Sequence, residues 1–190
     1  LDITAPRFDM EIHGQLALDS PHELSFAATG RLEATEEGVA KGLILPFSLN
    51  SSGNLDRILF EFASPENGLN LEGEIFEPFE RPAWDFRGAL TQFDWSFDDG
   101  GESIGLADLI LVSQGRIDDW SVELESAVRF EGLQDLRFVL SGKGSETGIR
   151  VSNAGLAAPG LDLDLSGKLD WSPQAETQLN AVIGQLDLSP

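Results

Sequence analysis

Gly160–Trp171 reads GLDLDLSGKLDW, with Leu161, Leu163, Leu165, Leu169 and Trp171 on one parity and Asp162, Asp164, Ser166, Lys168 and Asp170 on the other. A period of two predicts a strand with one dry and one wet face. Gly167 falls on the dry parity in mid-strand, where glycine has nothing to pack, so it signals a bend or a close approach. The same Gly-centred pattern recurs as HGQL (13–16), TGRL (29–32), EGEI (72–75), RGAL (87–90), QGRI (114–117) and IGQL (183–186). Asp-Trp-Ser also appears three times, at Asp94, Asp119 and Asp170.

Toward the N-terminus the alternation predicts strands through Phe8–Leu18, Leu24–Leu32, Leu43–Leu49, Ile58–Phe62 and Leu69–Ile75. Pro46 weakens the third, because proline donates nothing to a ladder. From Trp84 the apolar parity runs to Leu90 and then flips to Phe93, Trp95 and Phe97, which one extra residue in a bulge explains. Leu106–Val112 is nearly continuous apolar sequence, ambiguous in period and suited to cover on both faces. Alternation returns at Trp120–Phe130, Leu136–Leu140 and Ile149–Val151, with a loop or break expected over Asn153–Gly160. After the opening stretch it resumes at Thr177–Ile183, and Gly184 moves the register to Leu186 and Leu188. Eleven or twelve strands and no long helix are expected, with residues 1–190 forming a single repetitive unit.

The formal net charge of −21, from 33 acidic and 12 basic side chains, makes nucleic acid and anionic membrane surfaces poor partners. Apolar residues at 41% and charged residues at 24% are the composition of a chain that folds. Cysteine is absent, which excludes a disulfide framework, a thiolate metal site and a cysteine nucleophile. No apolar run has the length of a membrane span, and LDITAPRF lacks the features of a signal peptide. A start at Leu1 and a stop just after IGQLDLSP give the expectation of a segment of a longer chain.

One-faced strands joined by short turns are antiparallel neighbours, so the sheet they build has one apolar side to cover. A second sheet, a closed barrel, or a curled sheet whose interior is shared with a ligand would each do so. Glycine on the dry parity, at Gly14, Gly30, Gly73, Gly88 and Gly167, favours curling. The unit LDLSGKLDWSP (163–173) and its shortened form IGQLDLSP (183–190) resemble the degenerate repeats of the AsmA-like superfamily, above all its TamB (translocation and assembly module) branch. The resemblance implies an elongated, taco-like antiparallel groove, apolar inside. It implies a periplasmic protein tethered to the inner membrane by a part of the chain not present here. It further implies transport of phospholipid between inner and outer membranes, assistance to outer-membrane protein assembly, or both. Its partners would be phospholipid acyl chains and an outer-membrane assembly protein.

The apolar parity is then either dry core or a lipid-contacting wall; the wall would be formed by Leu16, Phe26, Leu45, Phe60, Leu71, Phe86, Leu124, Phe138, Leu163 and Leu165. The alternative is a binding or adhesive β-sandwich or β-solenoid module, which would bury the same residues. Catalytic and cofactor sites are not expected: no nucleophile elbow, phosphate loop or dinucleotide fingerprint occurs. Nor is a metal site: His13 and His22 stand apart from other ligands, and Asp98-Asp99-Gly100-Gly101 lacks the oxygen spacing of a calcium loop. Asp162 and Asp164 are explained by alternate positions on a wet face.

Overall fold

The computed structural model describes residues 7–19, 22–33, 44–96, 103–130, 133–171 and 178–186. They form twelve strands: β1 (Arg7–Leu16), β2 (Leu24–Glu33), β3 (Ile44–Gly53), β4 (Arg57–Ser64), β5 (Leu69–Phe76), β6 (Ala83–Ser96), β7 (Ser103–Arg116), β8 (Asp119–Phe130), β9 (Leu133–Ser145), β10 (Gly148–Ala158), β11 (Leu161–Asp170) and β12 (Gln178–Leu186). The one helical element described is a 3-10 turn at Pro65–Asn67, closed by Gly68 in the left-handed region at φ 60°. All twelve strands lie in a single antiparallel sheet in chain order, so the molecule is a meander from end to end. The sheet is open and curled. Substantial contact between strands is confined to neighbours in that order, and no second layer covers either face among the described residues. The sandwich alternative therefore does not describe this architecture.

Register explains why the alternation of separate strands adds up to one face, since residues directly opposite each other point to the same side. The pairs Ile12↔Ala28, Ala28↔Leu49, Leu49↔Phe62, Phe62↔Leu71 and Leu71↔Gly88 carry the dry parity across the first six strands. Gly88↔Leu111, Leu111↔Leu124, Leu124↔Leu140, Leu140↔Ala154, Ala154↔Leu165 and Leu165↔Ala181 carry it across the rest.

The parity flip expected in β6 is present, but not as an extra residue of β6 against its partner. β6 and β7 stay in register through it, and the irregularity falls between Ala107 and Ile110 where β7 meets β8, with Asp108 at φ 49°. Gly184 likewise supplies the extra residue where β12 meets β11. Pro46 is tolerated because β4 pairs with β3 only from Ser48 to Gly53, so the proline nitrogen faces no ladder on that side.

Two expectations need correction. Asn153–Gly160 is not a break: β10 runs on to Ala158, because a bulge between Val151 and Ala154 absorbs the slip in parity. Leu106–Val112 is not covered on both faces: Leu109 and Leu111 take the dry side while Ile110 is exposed on the other. Phe97, Asp98-Asp99-Gly100-Gly101 and Leu188 lie outside the described residues.

An apolar face without a cover

The ten wall residues named from sequence, Leu16 through Leu165, share this one face, and so do Gly14, Gly30, Gly73, Gly88 and Gly167. Among the described residues the strand positions on it, bulges aside, carry no charge. Each is apolar, glycine, or one of four buried serines, Ser51, Ser64, Ser113 and Ser126. Shelter is partial. Among the described residues only Ala28, Leu90 and Leu136 are buried apolar residues, whereas Leu16 is 60% exposed, Phe26 36% and Leu165 37%. The other seven wall residues are half-buried by their neighbours in the sheet. A face this apolar and this open is unusual in a protein that stands alone in water, and marks a surface made for something else to cover.

One row running across the strands has a pattern that no single strand shows. Gly14, Phe26, Ser51, Phe60, Gly73, Phe86, Ser113, Val122, Gly142, Val151, Gly167 and Leu179 follow one another from β1 to β12, small and large in strict alternation. The small positions let large side chains from both flanks lean together: Phe60 and Phe86 meet edge to face over Gly73, with ring centroids 6.5 Å apart. In the next row Trp120 lies over Gly144. Phe47 and Phe62 stack at 5.4 Å, and Trp84 donates its indole N–H to the Ser113 hydroxyl at 3.0 Å.

Not all five glycines named for curvature serve the same end. A Cβ on Gly167 would strike the Gln178 carbonyl, and Gly167 has φ 158°, so it answers the close approach read from sequence. A Cβ on Gly88 would first meet the end of the Leu71 side chain at 3.2 Å, then Leu111 Cβ at 3.6 Å and the Asn70 carbonyl at 3.7 Å, the last two at ordinary contact distance. Gly115, already marked by the QGRI pattern, belongs to the same face, and so do Gly142 and Gly144, which no sequence pattern marked because their large partners Val122 and Trp120 become visible only through pairing.

The opposite face is charged. Arg129 donates to Asp94 at 2.8 Å over the bare backbone of Gly105, and Arg57 and Arg137 pair with Glu74 and Glu125. A depression of about 490 Å³ is bordered by Glu61, Glu72, Glu74, Asp85 and Arg87 of this face together with Ser51, Phe60, Gly73 and Phe86 of the apolar row. No group of three or more metal-binding side chains occurs among the described residues. His13 is exposed and bonds Glu11 at 3.0 Å, and Asp162 and Asp164 point outward, exposed. No helix of the described residues is long and apolar enough to cross a membrane.

These features define a class: a one-layer, open, curled β-sheet with an uncharged apolar face on one side and an acidic face on the other. The family model described as "TamB, N-terminal domain" matches residues 1–190, and the chain belongs to that family. The family is a transport and assembly component rather than an enzyme family, and membership points to a periplasmic envelope protein. Neither the curated proteins nor the solved structures contain a match.

Proposed function

We propose that this chain is a length of groove wall whose apolar face holds phospholipid acyl chains on their way between the inner and outer membranes, in a periplasmic protein tethered elsewhere in its sequence. The observation that carries the reading is the uncharged apolar face, continuous across twelve strands and without a protein cover among the described residues. Acyl chains are the natural cover, since each CH₂ moved from water to an apolar surface contributes about 0.8 kcal/mol. A chain of ordinary length would therefore stay bound through purification even on a partly open wall. The acidic outer face supports a soluble exterior and repels anionic headgroups. A second reading, docking of an outer-membrane assembly protein by strand addition, rests on β12, the last strand among the described residues, with no charged residue from Gln178 to Leu186.

The test is native mass spectrometry of the purified protein with lipid identification, for the wild type and Gly88→Leu. Leucine at Gly88 adds volume to the apolar face where the tightest neighbour of its Cβ is the movable end of Leu71. Bound phospholipid in the wild type and less in the folded variant is the expected result. A wild type free of lipid would count against the reading.

A further inference from the structure

Four serines are buried on the apolar face, and three of them are partnered by protein groups. The Ser64 hydroxyl accepts from the Asn67 amide at 3.2 Å, the Ser113 hydroxyl accepts from Trp84 and donates to the Ser121 carbonyl at 2.9 Å, and the Ser126 hydroxyl donates to the Ala107 carbonyl at 3.2 Å. Ser51 differs: it is 5% exposed and its Oγ has no hydrogen-bond partner. A buried hydroxyl without a partner is costly, so its survival in an otherwise apolar row needs a reason.

Its place in the row suggests one. Ser51 lies between Phe26 and Phe60, and on the far side of Phe26 is Gly14. Gly14 carries no side chain, and a Cβ there would come within 3.3 Å of Phe26 Cβ, so bare backbone lies directly beside Phe26. Phe26 is 36% exposed, and a turn of its ring toward that bare position is the movement by which a ligand would reach the hydroxyl. What arrives must bring an oxygen acceptor while remaining compatible with apolar neighbours on every side. A phosphate does not qualify, because no cation stands on this face to offset its desolvation. The ester carbonyl that joins an acyl chain to glycerol does.

We propose that Ser51 is a lipid-binding residue whose hydroxyl donates to the ester carbonyl of a glycerolipid, with the acyl chain lying along the row of small residues at right angles to the strands. The inference rests on the proposed function, and its test separates the two. The full chain is offered an equimolar mixture of a diacyl phosphatidylethanolamine and its dialkyl ether analogue with chains of equal length, and the retained ratio is read by native mass spectrometry. The wild type is expected to retain the ester about threefold over the ether, the size of one net hydrogen bond. Ser51→Ala should abolish the preference while retaining ether lipid as before, and Ser51→Thr should keep it. Equal retention of ester and ether by the wild type overturns the role of Ser51 and leaves lipid binding standing. Retention of neither overturns both.

Discussion

The indole of Trp120 lies over the bare backbone of Gly144 on the adjacent strand, in the space where any side chain at that glycine would have to go. The contact shows how the apolar face is built: large residues are seated on glycines or serines across the ladder, so that the wall is smooth without a second layer behind it. Gly144→Ala must displace the indole and is expected to cost roughly 1–3 kcal/mol, the range for overpacking. Gly88→Ala, whose one tight contact is the movable end of Leu71 at 3.2 Å, should cost less than half as much. Urea midpoints of the two variants at equal m-value check this, and equal losses would contradict it.

Gly167 is a different case, because its φ of 158° and the nearby Gln178 carbonyl make the constraint one of backbone. Gly167→Ala should loosen β12 from β11, seen as faster amide exchange across Leu179–Ile183 with the centre of the sheet unchanged. Uniform exchange along all strands would show that the constraint is not local.

Ser51 and Ser113 occupy equivalent small positions in one row, yet only Ser113 has protein partners. Ser113→Ala is expected to destabilise by about 1 kcal/mol, whereas Ser51→Ala should be neutral or stabilising, since an unpaired buried hydroxyl is removed. Thermal melts of the lipid-free variants check the sign, and a loss at Ser51 equal to that at Ser113 would contradict the assignment.

The strands were legible in the sequence because each reports its own parity, and so was the change of parity from Leu90 to Phe93, although the irregularity itself lies where β7 meets β8. The row of alternating small and large residues was not. Its members sit on successive strands, and which of them face each other is fixed by turn lengths and by the bulges at Ala107–Ile110 and Val151–Ala154. Gly144 illustrates this: nothing near it in sequence points to Trp120, and only the β8–β9 register brings them together. The break expected over Asn153–Gly160 went astray for a related reason, since a bulge inside one strand and a boundary between two leave the same mark on the period.

With 33 acidic and 12 basic side chains, repulsion across the sheet outweighs the exposed ion pairs, each worth only about 0.2–1 kcal/mol. Stability should therefore rise between about 10 and about 150 mM salt, as the screening length falls from about 30 to about 8 Å. A melting temperature that falls over this range would mean that the pairs, such as Arg129 with Asp94, dominate.

β12 is the less guarded edge: Leu179, Val182 and Ile183 are each 62% exposed and the strand has no charge, whereas β1 carries Asp9 and Glu11. Concentration-dependent association through β12 is expected in sedimentation velocity, and Val182→Lys should suppress it. Association unchanged in that variant would place the contact elsewhere.

The central claim is that lipid covers one face of this sheet and not the other, and site-specific photocrosslinking in cells reads that directly. A photoreactive residue at Phe86 or Leu165 on the apolar face, and at Arg87 or Asp164 on the charged face, is irradiated and the adducts are identified by mass spectrometry. Phospholipid adducts at Phe86 and Leu165, with none at Arg87 and Asp164, are the predicted result; equal yields on both faces, or no lipid at Phe86 and Leu165, would contradict the account.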